Sequence, residues 1–137
     1  MNREILYRGK PMFRESNNFV YGYYKKGDIA GVETDFILPL PEYKNEINEV
    51  AVLSKTVGQY TGLTDKNGKK IFEGDIIKGK GKNVFVVEYN QNIASFITKG
   101  FGTLACPCMN AGTMDYYEVV GNIHDNPELM GGTENEH

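Results

Sequence analysis

The sequence has no tryptophan, two cysteines and two histidines, and no apolar run near the roughly 18 residues that a membrane span requires. Each shortage excludes something. Two cysteines in 137 residues cannot build the disulfide framework of a small secreted domain. Cys106 and Cys108 are separated by Pro107 alone, whereas zinc sites space paired cysteines wider and add a second pair of ligands. With His124 and His137 as the only histidines, no four-ligand shell is completed, so the cysteines read as reduced structural thiols with no metal. Met1-Asn2-Arg3-Glu4-Ile5 mixes charges from the start and lacks the apolar core of a signal peptide, which points to a cytoplasmic address. A formal net charge of −3 lowers the expectation of a polyanionic partner.

What the chain does have is aromatic residues and glycine. Nine Tyr, seven Phe and sixteen Gly favour strands joined by tight turns. Ile5 and Tyr7 share a face of a first strand that Gly9-Lys10-Pro11 interrupts. After the Asn17-Asn18 turn, Phe19, Tyr21 and Tyr23 fall on one face at the two-residue period. Lys26-Gly27-Asp28 reads as the next turn, Asp35 to Leu38 as a strand ended by Pro39 and Pro41, and Val50 to Leu53 as another. Residues 42–49 stay open between a short helix and a strand.

Asn67-Gly68 is the strongest hairpin signal, with Asp65 placed to support the turn. Glu73-Gly74-Asp75 marks a second corner, after which Ile76-Ile77, Val84 to Tyr89, Ala94 to Thr98 and Tyr116 to Val120 read as strands. Pro127 suits a single helical turn at 125–129. The predicted fold is mostly β: a small barrel-like part plus a β-meander, with one or two short helical turns. Its divisions are an N-terminal lobe at 1–55, a barrel lobe at 56–130 and a polar tail at 131–137.

Several blocks resemble the YopX family of phage and prophage proteins. They are Thr56-Val57-Gly58-Gln59-Tyr60-Thr61-Gly62-Leu63, Asp65-Lys66-Asn67-Gly68, Ile71-Phe72-Glu73-Gly74-Asp75-Ile76 and Val86-Val87-Glu88-Tyr89. Glu118-Val119-Val120-Gly121-Asn122-Ile123 and Asn126-Pro127-Glu128-Leu129 follow in the family's order. The likeness covers most of 56–130, and the N-terminal third matches loosely, through a basic opening strand at Arg3 to Arg8. The resemblance implies a mostly-β fold, assembly into oligomers, a mobile-element origin in a bacterial host cell, and no established activity. It carries over no catalytic residue.

No residue pattern supports catalysis or a cofactor. Cys106 or Cys108 would need a base such as His124, and nothing local supplies one. Asp65, Glu73 and Asp75 sit beside Gly68 and Gly74, where carboxylates support turns rather than acid–base chemistry. Lys78-Gly79-Lys80-Gly81-Lys82 lacks the ending and the following helix of a phosphate-binding loop. Two candidate surfaces remain. Phe19, Tyr21 and Tyr23 form a candidate interaction surface, suited to packing in a homo-oligomer or, flanked by Arg14, Lys25 and Lys26, to stacking on bases. Lys69, Lys70, Lys78, Lys80 and Lys82 are candidate nucleic-acid contacts if both turns lie at one end of a barrel, the alternative being lysines that keep an edge soluble. The sequence thus predicts a non-enzymatic accessory protein acting by binding as a homo-oligomer, with no membrane partner. A nucleic-acid-binding barrel is the second reading and an uncharacterised enzyme the third.

Overall fold

The computed structural model describes residues 4–13, 17–40, 49–81, 83–100, 114 and 116–130. Its strands are β1 (Tyr7–Gly9), β2 (Val20–Ile29), β3 (Val32–Pro39), β4 (Val50–Val52), β5 (Gly58–Thr64), β6 (Lys70–Phe72), β7 (Asp75–Lys78), β8 (Val84–Asn90), β9 (Ser95–Gly100) and β10 (Glu118–Asn122). A 3-10 turn, Ser54–Thr56, precedes β5. The pairing is antiparallel throughout the two sheets, so the protein is mostly β as its turn chemistry predicts. None of the described helices is long and apolar enough to cross a membrane.

The chain forms two compact units, Met1–Tyr60 and Thr61–His137. In the first, the strand order is β4-β3-β2-β1-β5. Beyond β1 the chain crosses to the far edge of its own sheet. Pro11 bridges Val52, and the amides of Leu53 and Met12 donate to the carbonyls of Lys10 and Ala51 at 2.9 and 2.8 Å. β4 therefore has β3 on one side and residues 10–12 on the other, and the sheet rolls into a barrel-like form. Ile37, Val50 and Val52 fill its inner side, with Tyr7, Val20 and Val57 packed against them. Alternation along each strand delivers these residues to one face.

β2 and β3 pair from Gly22↔Pro39 out to Ile29↔Val32, yet β1 meets β2 only at 20–22 and β4 meets β3 only at 35–37. Beyond the Lys26↔Asp35 pair, the hairpin runs on as a two-stranded ribbon. Its turn is Ala30-Gly31, with φ of 53° and 85°, the positive pair that matches strand twist. The Lys26-Gly27-Asp28 turn predicted from sequence is corrected: those residues lie inside β2, and Gly27 faces the Phe36 ring, where a Cβ would come within 3.0 Å. A side chain in Ala30's left-handed conformation is strained, so Ala30→Gly is expected to stabilise the protein by ~0.5–1 kcal/mol, read as a raised urea midpoint.

In the second unit β10-β7-β8-β9 form a four-stranded sheet, and the later residues of β5 lie beside β6. Ile71, Ile77, Val87 and Met114 make its core, joined by Leu63, Phe85, Tyr117 and Val119. Gly74, at φ 94°, turns the corner between β6 and β7. β10 starts two residues later than the alternation suggests and ends at Asn122. After it, Leu129 and Met130 close a helical turn by donating their amides to Asn126 and Pro127 carbonyls, both at 3.0 Å. Residues 42–48, Cys106, Cys108 and the tail 131–137 lie outside the described residues.

Candidate functional site

The two faces of the β2–β3 hairpin differ sharply. On one, the Tyr24 hydroxyl donates to Asp35 Oδ1 at 2.6 Å, and Lys26 Nζ stands 3.7 Å from Asp35 and 3.8 Å from Glu33. The Tyr24 hydrogen bond raises the phenol's pKa and, on the other side of the same bond, holds the Asp35 carboxyl below its ordinary value. The opposite face carries Tyr21, Tyr23, Lys25 and Ile29 on β2, beside Val32, Phe36 and Leu38 on β3. Tyr23 pairs with Leu38, Lys25 with Phe36, Gly27 with Thr34 and Ile29 with Val32, so the apolar stripe from the sheet to the hairpin tip is interrupted at Lys25 and at the Gly27↔Thr34 pair. Tyr23 is 59 % exposed, Val32 66 % and Ile29 38 %. Phe36 is buried, and Lys25 reaches over it to Glu49 at 2.8 Å.

Of the predicted trio, Tyr23 faces solvent while Phe19 and Tyr21 are half-buried, their rings 6.3 Å apart. Phe19 already has company. The Arg8 guanidinium lies 4.1 Å and Lys10 Nζ 4.4 Å from its ring centre, and Lys10 Nζ donates to the Asn17 carbonyl. Arg8 and Lys10 are both buried, although the sequence marks Arg8 only as part of a basic opening strand and Lys10 as part of the break that follows it. Ile29, Val32, Phe36 and Leu38 were not singled out from sequence; the period-2 alternation from Val32 to Leu38 is the signal that carries part of that stripe.

The lysine turns belong to the second unit, and the structure brings them together. Asp65 organises the first. Its Oδ1 accepts the amides of Asn67 and Lys69 at 2.8 and 2.9 Å, and its Oδ2 accepts the amide of Val119, 54 residues away, at 2.9 Å. Burial pushes this carboxyl's pKa up, but the amides of Val119, Lys69 and Asn67 outweigh it and hold the group below its ordinary value. Asn67 is not at positive φ; Gly68 alone is, at 83°, after a turn closed by its amide on the Asp65 carbonyl. The hairpin is thus a longer loop than the two-residue type its Asn-Gly suggests.

The Lys66 amide donates to the Tyr117 carbonyl, Glu118 pairs with Lys78 across β10 and β7, and Gly79 lies against the Tyr117 ring. Both turns therefore flank Tyr117-Glu118 at one end of the unit. Lys66, Lys69, Lys70, Lys78 and Lys80 are all exposed; Lys82 lies outside the described residues. Lys99, which sequence reasoning passed over, is exposed on β9 at the far edge of the sheet and stands level with Val86 and Ile76, away from the two turns. Tyr116, 64 % exposed, precedes Tyr117 in the chain at the end where the two turns meet. The opposite end carries the Gly74 corner, whose carbonyl accepts the Ile123 amide, together with Asp75 and Asp125. Asp75 is buried, its Oδ2 accepting the Phe72 amide at 2.7 Å. His124 is half-buried, and the described residues hold no cluster of metal-ligating side chains.

These features define a mostly-β protein of two antiparallel units whose prominent carboxylates lock turns. The chain belongs to the YopX protein family, whose model matches residues 13–131. The match reaches well into the N-terminal third, where the sequence blocks gave only a loose likeness. Among solved structures the chain is similar to protein EF1440 from Enterococcus faecalis, at 24 % identity and a TM-score of 0.48, covering 94 % of this chain and 99 % of that one. No curated protein matches the chain.

Proposed function

We propose that this protein is a non-catalytic accessory protein of a phage or prophage, working in the host cytoplasm by binding, and that it binds copies of itself. The observation that carries this reading is the apolar stripe of the β2–β3 hairpin, from Tyr23 and Leu38 to Ile29 and Val32. A solvated ribbon with ion pairs on one face has no need of apolar groups on the other, and exposed apolar patches mark interaction sites. A second copy suits the stripe because a two-fold axis lets one patch cover itself. The non-catalytic part is supported by Asp65 and Asp75, whose carboxylates accept backbone amides. Light scattering is expected to give a multiple of the protomer mass, reduced toward the protomer by Tyr23→Ala combined with Val32→Ser. A protomer mass for the unaltered protein at moderate concentration defeats the proposal.

A further inference from the structure

We propose that the lysine end of the second unit is a docking surface for single-stranded nucleic acid, independent of the hairpin stripe in the first. The argument is one of charge placement. The whole chain is acidic, but the second unit sorts its charges by end. β7 runs from Asp75 at the Gly74 corner to Lys78, and β10 returns from Glu118 to Asn122. Lys66, Lys69, Lys78 and Lys80 gather at the Lys78–Glu118 end. Of the acids there, Asp65 is buried under three amides, and Glu118 pairs with Lys66 at 3.7 Å. The other exposed charges described there, Lys69, Lys78 and Lys80, are cationic.

Lysines that only keep an edge soluble would be spread along edge strands. Here they come from two turns that both flank Tyr117-Glu118, next in the chain to one exposed aromatic residue, Tyr116. Cations that track phosphates beside a ring that takes a base are the two parts of a single-strand site. Tyr117 cannot serve as that ring, since it packs edge-on against Phe85 in the core, 6.1 Å between centres. A base stacked on Tyr116 has to be unpaired, which selects single strands over duplex.

The test is fluorescence anisotropy of a labelled oligothymidine with the full chain at two salt concentrations. Binding is expected at low salt and should fall steeply as salt rises. Lys78→Glu with Lys80→Glu should weaken it ~tenfold or more and flatten the salt slope. Tyr116→Ala should weaken it several-fold and leave the slope unchanged. Lys55→Glu, an exposed lysine of the first unit with the same change of charge, should have little effect, and so should the hairpin variants that test self-association. No binding at low salt overturns the proposal, as does equal weakening by Lys55→Glu. Equal competition by duplex DNA, or binding to anionic vesicles in place of the oligonucleotide, overturns the single-strand assignment.

Discussion

Gly22→Ala is expected to destabilise the first unit by about 3 kcal/mol or more, enough to shift its urea midpoint far below that of the unaltered protein. Gly22 sits where β2 is hydrogen-bonded on both sides, to Tyr7 of β1 and to Pro39 of β3. A Cβ at this position would stand 1.9 Å from the Leu38 carbonyl oxygen and 2.6 Å from its carbon. Those are backbone atoms, so no rotamer change relieves the overlap; a strand has to move and part of the ladder is lost. Gly81→Ala provides the contrast, because a Cβ there meets nothing within 4 Å, and its effect should stay within ~0.5 kcal/mol. Equal midpoints for the two variants would refute the account of the close backbone approach at Gly22.

Asp65→Ala is the second large effect, with an expected loss of about 2–4 kcal/mol from the second unit. The substitution removes the acceptor of three backbone amides at once, two in its own turn and one on β10. Asp65→Asn keeps the shape but replaces one acceptor oxygen with an NH2 group, so it should lie between. The pH dependence gives a separate readout. The folded-state pKa of Asp65 is lowered, so the unfolded chain takes up the proton more readily. The carboxylate's contribution is therefore fully present above the ordinary value of 3.8 and is lost as pH falls through the lower folded value. Denaturation followed from neutral pH into this acid range should show a decline that is shallower in Asp65→Asn. A parallel decline in both proteins would show that the carboxylate's charge contributes nothing.

Much of this architecture can be read from short-range chemistry. Gly68 and Gly74 adopt the positive φ that their turns require, and Asp65 and Asp75 bond to amides within four residues. Such signals are local, so one stretch of sequence contains both partners. The hairpin turn at Ala30-Gly31 escaped because alanine advertises no left-handed conformation, while Gly27 mimics a turn and in fact makes room for Phe36. The candidate surfaces were legible only as residue types. Alternation placed Tyr21 and Tyr23 together, but the stripe is completed by β3 through a register that depends on where the turn falls. The lysine turns were visible separately. Their meeting depends on β10, which arrives some 40 residues after the second turn and is carried there by tertiary pairing. Burial of Arg8 and Lys10 against Phe19 had no sequence mark beyond an aromatic residue following a basic strand.

The Asp65–Val119 bond also sets an order of events during synthesis. By the time Tyr60 has been added, each strand pairing of the first unit has both its partners, including β1 with the start of β5. The second unit is in the opposite position. Its first turn is made at residues 65–69 but gains its third amide only when Val119 leaves the ribosome, and β7 waits for the same segment to cover its free edge. Nascent chains arrested before β10 should therefore expose β7 to added proteases while the first unit already resists them, giving a cleavage pattern that changes abruptly once residues 118–122 have emerged.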